Sequence, residues 1–128
     1  MSYYITKSTK GDFDAVVSKV IEKLKDEGFG VLTEIDVANT LRQKLGVEMK
    51  RYRILGACNP GLAHKALSVE DKIGVMLPCN VIVQEMADGV VDVAAIDPRM
   101  AMQQIGNPAL TEISAAVAER LSRVVGAI

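Results

Sequence analysis

The chain carries two cysteines, and asparagine follows each: Ala57-Cys58-Asn59-Pro60 and Pro78-Cys79-Asn80-Val81. Both sit at what read as the inner ends of apolar strands. Cys58 immediately precedes a predicted helix that Asn59 caps and Pro60 opens. The free N–H groups and positive dipole end of such a helix favour an anion, and they raise the thiolate fraction of a nearby thiol. Gly61 lets the backbone approach a ligand closely. The candidate ligand-binding set is therefore Cys58, Asn59, Pro60, Gly61, Cys79 and Asn80. A structural reading competes with it. Period-2 alternation groups Cys58 with Tyr52, Ile54 and Gly56, the more apolar face of its strand, and Cys79 with Leu77, Val81 and Val83. Both sets suit burial, although Pro78 is a residue that marks edges and bulges in strands.

His64 is the only histidine. With Cys58 and Cys79 it would supply three ligands to zinc or another thiophilic metal, leaving an open fourth position. The spacing is not a zinc signature, and His64 falls one turn below the cap on a short helix, on a side that solvent can reach. No Cys-x-x-Cys is present, so a thioredoxin-type centre is excluded as a local motif. Gly28-Phe29-Gly30 precedes a strand rather than a helix, the wrong order for a dinucleotide fingerprint. Glu34, Asp36, Glu85, Asp88 and Asp92 form no pair with the context of a general acid and base. Met100 and Met102 share a short helical segment with Ile105, which suits packing better than copper or haem ligation.

The elements that must position these residues interleave along the chain. Asp12 caps a helix whose Phe13, Val16, Val17, Val20, Ile21 and Leu24 recur at helical spacing, and Gly28 ends it. Phe29 to Ile35 reads as a strand. Asp36 caps a second helix with Val37, Leu41 and Leu45, ended by Gly46. Tyr52 to Cys58 is the next strand. A break at Glu70-Asp71 leads to a long strand from Val75 to Glu85. Ala87-Asp88-Gly89 turns it into the hairpin partner Val90 to Ile96. Asn59-Pro60, Asp97-Pro98 and Asn107-Pro108 each spell a helix start. The last helix carries Leu110, Ile113, Val117, Leu121 and Val124. The order β-α-β-α-β-α-β-β-α-α, with its hairpin, excludes a purely parallel sheet. It predicts a two-layer α+β domain over 1–128, with a mixed or antiparallel sheet and helices on one face.

Composition narrows the function classes. At 128 residues the length suits one domain, and 49% apolar content is ample for a core. A net charge of -1 gives no footprint for nucleic acid, and Lys50-Arg51-Arg53 reads as a solvated strand entrance. No apolar run reaches the roughly 18 residues needed to cross a bilayer. The N-terminus lacks the pattern of a secretory signal, so the expected location is the cytoplasm, where a structural disulfide is not expected.

Several of these motifs together resemble the domain of unknown function family 302. They are Glu27 to Asp36, Tyr52-Arg53-Ile54-Leu55-Gly56-Ala57-Cys58-Asn59-Pro60, Leu77-Pro78-Cys79-Asn80-Val81-Ile82-Val83, Asp97-Pro98 and Gly106-Asn107-Pro108. The chain looks like the subgroup with both cysteines. The resemblance implies a compact α+β homodimer and no established activity. Combined with the residues, the expectation is a homodimer that binds a small ligand or a metal at the Cys58/Asn59/Cys79 site, linked to redox chemistry. Two alternatives stand beside it. One is an enzyme with Cys58 as nucleophile. The other is a structural or interaction module whose cysteines are core residues.

Overall fold

The computed structural model describes residues 2–128. Five strands, β1 (Tyr4–Lys10), β2 (Gly30–Asp36), β3 (Tyr52–Cys58), β4 (Cys79–Glu85) and β5 (Val90–Ile96), alternate with helices α1 (Phe13–Asp26), α2 (Val37–Leu45), α3 (Pro60–Val69), α4 (Pro98–Gln103) and α5 (Ala109–Gly126). The element order is the one the sequence predicts. The strands form one sheet in the order β1-β5-β4-β3-β2, and every neighbouring pair is antiparallel.

The caps behave as their residue types require. Asp12 accepts from the Ala15 N–H, Asp36 from Asn39, and Asn59 from Leu62. Asp97 caps α4 through Arg99 N–H and also takes two bonds from the Arg99 side chain, at 2.9 and 2.7 Å. Asn107 accepts from Ala109 N–H and donates to the carbonyl of Val69, which ties the start of α5 to the end of α3.

Helices α1 and α5 lay their apolar stripes on one face of the sheet. Val16, Val17, Val20 and Leu24 of α1 meet Val117, Leu121, Val124 and Val125 of α5 there. The sheet supplies Leu55, Ala57, Val81, Val83, Val91, Val93 and Ala95. A smaller cluster, Ala66, Ile73, Met102 and Leu110, closes the end where α3, α4 and α5 converge. Met102 is thus a packing residue, as its context predicts.

Two expectations about strands change. The run from Val75 to Glu85 is not one strand: Asp71–Met76 forms a 3-10 turn and β4 begins at Cys79. Pro78 has no N–H to give a ladder, so pairing starts after it. The face assignment within β3 is also inverted. Leu55 and Ala57 face the helices with no exposed surface, while Tyr52, Ile54 and Gly56 belong to the opposite face. Both phases of β3 are apolar, so alternation alone did not say which was inside. No helix of the described residues is long and apolar enough to cross a membrane.

Candidate functional site

The β3–α3 junction is built tightly. Asn59 Oδ1 accepts the Leu62 N–H at 3.2 Å, and Asn59 O accepts from Ala63 at 2.8 Å. Two of the three N–H groups of the first turn are therefore already used, because Pro60 brings none. That leaves little for an anion. Gly28 has φ +84, and a Cβ there would stand 3.1 Å from Asn59 Nδ2. Glycine at 28 is what lets the α1–β2 turn close over the cap.

Cys58 and Cys79 lie on neighbouring antiparallel strands, and both border a cavity of about 30 Å³. Its wall is apolar, with Phe29, Leu62, Ala66 and Val117 among its residues. The register pairs Cys79 with Ala57, not with Cys58. Cys58 is one residue out of step at the last position of β3, where the strand gives way to the Asn59 cap, and it borders the same cavity as Cys79. Cys79 is buried with Val81 and Val83, whereas Cys58 is half-buried at the strand end. Both are free thiols. Burial first, and the neighbouring Cys58 second, push the Cys79 thiol up to about 11.

The other candidates do not converge here. His64 is exposed on α3 and does not border the cavity. Among the described residues no three His, Cys, Asp or Glu side chains gather as a metal site. The zinc set Cys58, Cys79 and His64 is therefore not assembled: both thiols line the cavity, but His64 is exposed and lies outside its wall. Pro60 and Gly61 are exposed in the first turn of α3, away from the cavity wall. Asn80 is exposed opposite Gly56, on the sheet face that the helices do not cover. One residue of register separates it from Cys79, and that residue reverses its direction.

That uncovered face is what reasoning from the sequence missed. It presents Tyr4, Thr6 and Ser8 of β1, Asp92, Ala94 and Ile96 of β5, Asn80, Ile82 and Gln84 of β4, and Tyr52 of β3. These line a shallow groove of about 490 Å³. Thr6, Ala94, Ile82, Ile54 and Ile35 form one continuous row across all five strands. Asp92 is the one charged residue among those lining the groove. A signal was present: β5 reads Val-Val-Asp-Val-Ala-Ala-Ile, apolar in both phases, as in a strand covered on both faces. Gly56 sits under this face, where an added Cβ would meet the Thr33 side chain and stand 2.9 Å from the Pro78 ring.

The basic cluster is structural. Arg51 makes a two-pronged pair with Asp14, at 2.7 and 3.1 Å, and lies 4.3 Å from the centre of the Phe13 ring. Arg53 pairs with Glu34 at 2.7 Å.

The model of the family described as Domain of unknown function DUF302 matches residues 4–128. The chain belongs to the DUF302 family. The crystal structure of an uncharacterized conserved DUF302 protein from Bacillus stearothermophilus is similar over 98% of both chains, with 29% identity and a TM-score of 0.91. No curated protein matches the chain. The DUF302 fold is thus shared across most of the chain's length, and no activity comes with it.

Proposed function

We propose that this DUF302 protein works as a homodimeric interaction module rather than through turnover at its cysteines. One observation carries the reading. Helices α1 and α5 cover one face of the sheet, and the groove on the other face sets Ile82, Ala94, Ile96 and the tyrosines among the uncharged polar side chains Thr6, Ser8, Asn80 and Gln84, with Asp92 its single carboxylate. A face almost free of charge does not repel its own copy, so it suits a two-fold contact. Its size is adequate. Five strands spaced about 4.8 Å apart, each seven residues long, give a flat extent of roughly 550 Å². Side-chain relief raises that toward the roughly 800 Å² per partner of an ordinary stable interface. The cysteines then serve as packing residues. Two free thiols suit a reducing compartment, so we place the protein in the cytoplasm.

All three tyrosines, Tyr3, Tyr4 and Tyr52, line the groove. Their nitration by tetranitromethane therefore reads the face directly. If a second copy covers it, nitration of Tyr52 falls as protein concentration rises through the dimerisation range. Labelling that is independent of concentration, in a protein that sediments as a monomer, removes the reading.

A second reading rests on the cavity that both thiols border. Its volume, about 30 Å³, limits any occupant to a single molecule of about water size. Its apolar wall and protonated Cys79 favour a neutral guest over an anion or a metal ion.

A further inference from the structure

Among the described residues only two polar side chains are buried, Asp97 and Ser114, each 4% exposed. Both belong to one place. A cleft of about 490 Å³ opens between α4 and the start of α5, a volume within the ordinary range of small-molecule sites. Ser114 lines it, and so does Arg99, which Asp97 holds from outside the wall. Met102 and Leu110 give the cleft an apolar floor. It shares no residue with the groove of the open sheet face, so its occupancy is independent of the dimer.

The Asp97–Arg99 pair does more than cap α4. The cap needs one bond, from the Arg99 N–H. The two further bonds, 2.9 Å from Nε and 2.7 Å from Nη2, fix the guanidinium itself. A guanidinium has two edges that can each hold a carboxylate. Asp97 takes the Nε side. Among the described residues Nη1 makes no hydrogen bond, which leaves the Nη1/Nη2 edge open on a side chain that is 52% exposed. Because Asp97 orients the group in advance, a ligand does not have to order it. Arg99 is the one charged residue in the lining. The first N–H groups of α5 add nothing, since Ala109, Leu110 and Thr111 already donate to Asn107 and Pro108. Ser114 donates to the Thr111 carbonyl at 3.0 Å, so it offers the cleft an acceptor.

We propose that the cleft between α4 and α5 binds a small monocarboxylate with an apolar body. Its carboxylate takes the open edge of Arg99 in a two-pronged pair. Its body lies on Met102 and Leu110, with Gln103, Thr111 and Ser114 supplying polar contacts at the sides. One cation, partly offset by Asp97, suits a single negative charge, whereas a dianion would bring more charge than the cleft balances.

The probes are hexanoate and phenylacetate, each beside its neutral primary amide. Binding to the full chain is measured by isothermal titration calorimetry and located by amide chemical-shift changes. At least one acid is expected to bind with Kd below about 5 mM and about ten-fold more tightly than its amide, with shifts centred on Arg99, Gln103, Thr111 and Ser114. Arg99→Lys keeps a cation for Asp97 but gives up the second edge, and it is expected to weaken the acid about ten-fold and leave the amide unchanged. Ala115→Phe, at an exposed position of the wall, fills the cleft without touching the Asp97 pair and is expected to abolish binding; its thermal melt shows that the fold is kept. Weaker or no binding of both acids, acid and amide binding alike, shifts centred elsewhere, or full affinity in a folded Ala115→Phe would each overturn the proposal.

Discussion

The Cys79 thiol ties burial to a measurable pH dependence. Burial raises it from 9.0 to about 11 in the folded chain, while the unfolded chain titrates near the lower value. A group whose folded pKa is raised stabilises the fold fully below the unfolded pKa. That contribution is lost as pH rises through the folded value. Two units correspond to about 3 kcal/mol, about 2 of which is gone by about pH 10.5. Other groups titrate in the same range, so the measurement is a difference. Urea unfolding of the wild type and of Cys79→Ala is followed at about pH 7.5, 9 and 10.5. The variant loses packing at every pH. Only the wild type pays the extra alkaline cost, so the gap between them should narrow by about 2 kcal/mol between the ends of the series. Alkylation gives an independent reading: at neutral pH the folded chain holds about a hundredfold less Cys79 thiolate than the unfolded chain. Parallel loss of stability in both proteins, or Cys79 alkylation near the unfolded rate, would refute the burial on which the reasoning depends.

Gly56→Ala should lower stability by about 1–3 kcal/mol, because the new methyl meets Thr33 and the Pro78 ring; an unchanged urea midpoint would show that these neighbours yield freely. Asn59→Ala should cost about 1 kcal/mol through loss of the α3 cap, read as a lower melting temperature with the dimer retained. The Arg99 guanidinium holds Asp97 below the ordinary carboxylate range against the opposing effect of burial. The stability it supplies is present above that range and lost as pH falls through the folded value, so Asp97→Asn should show a flatter acid limb in thermal melts.

The element order was legible because each device is local. Asp12 with Gly28, Asp36 with Gly46, and Ala87-Asp88-Gly89 are caps and turns whose chemistry does not depend on the rest of the chain. What the sequence left open was the third dimension. In β3 both phases of the alternation are apolar, so nothing local said that Leu55 and Ala57, rather than Tyr52 and Ile54, face the helices. Register was equally silent. A pairing of Cys79 with Ala57 instead of Cys58 is a long-range outcome, and it places Asn80 on the other face. The strand expected from Val75 failed at Pro78, a residue whose missing N–H was visible from the start. His64 was legible as exposed from its place on a short helix, and the structure keeps it there.

The open sheet face is tested most directly by sedimentation equilibrium of the wild type and Ile82→Glu. Ile82 lies in the middle strand of the sheet, between Ile54 and Ala94 in the apolar row. In a two-fold contact through this face, the new carboxylate would be buried without a partner. The wild type should sediment as a dimer at tens of micromolar. Ile82→Glu should sediment as a monomer while keeping its helical circular dichroism. A monomeric wild type, or a variant that remains a dimer of unchanged affinity, would contradict the assignment of this face as the working surface.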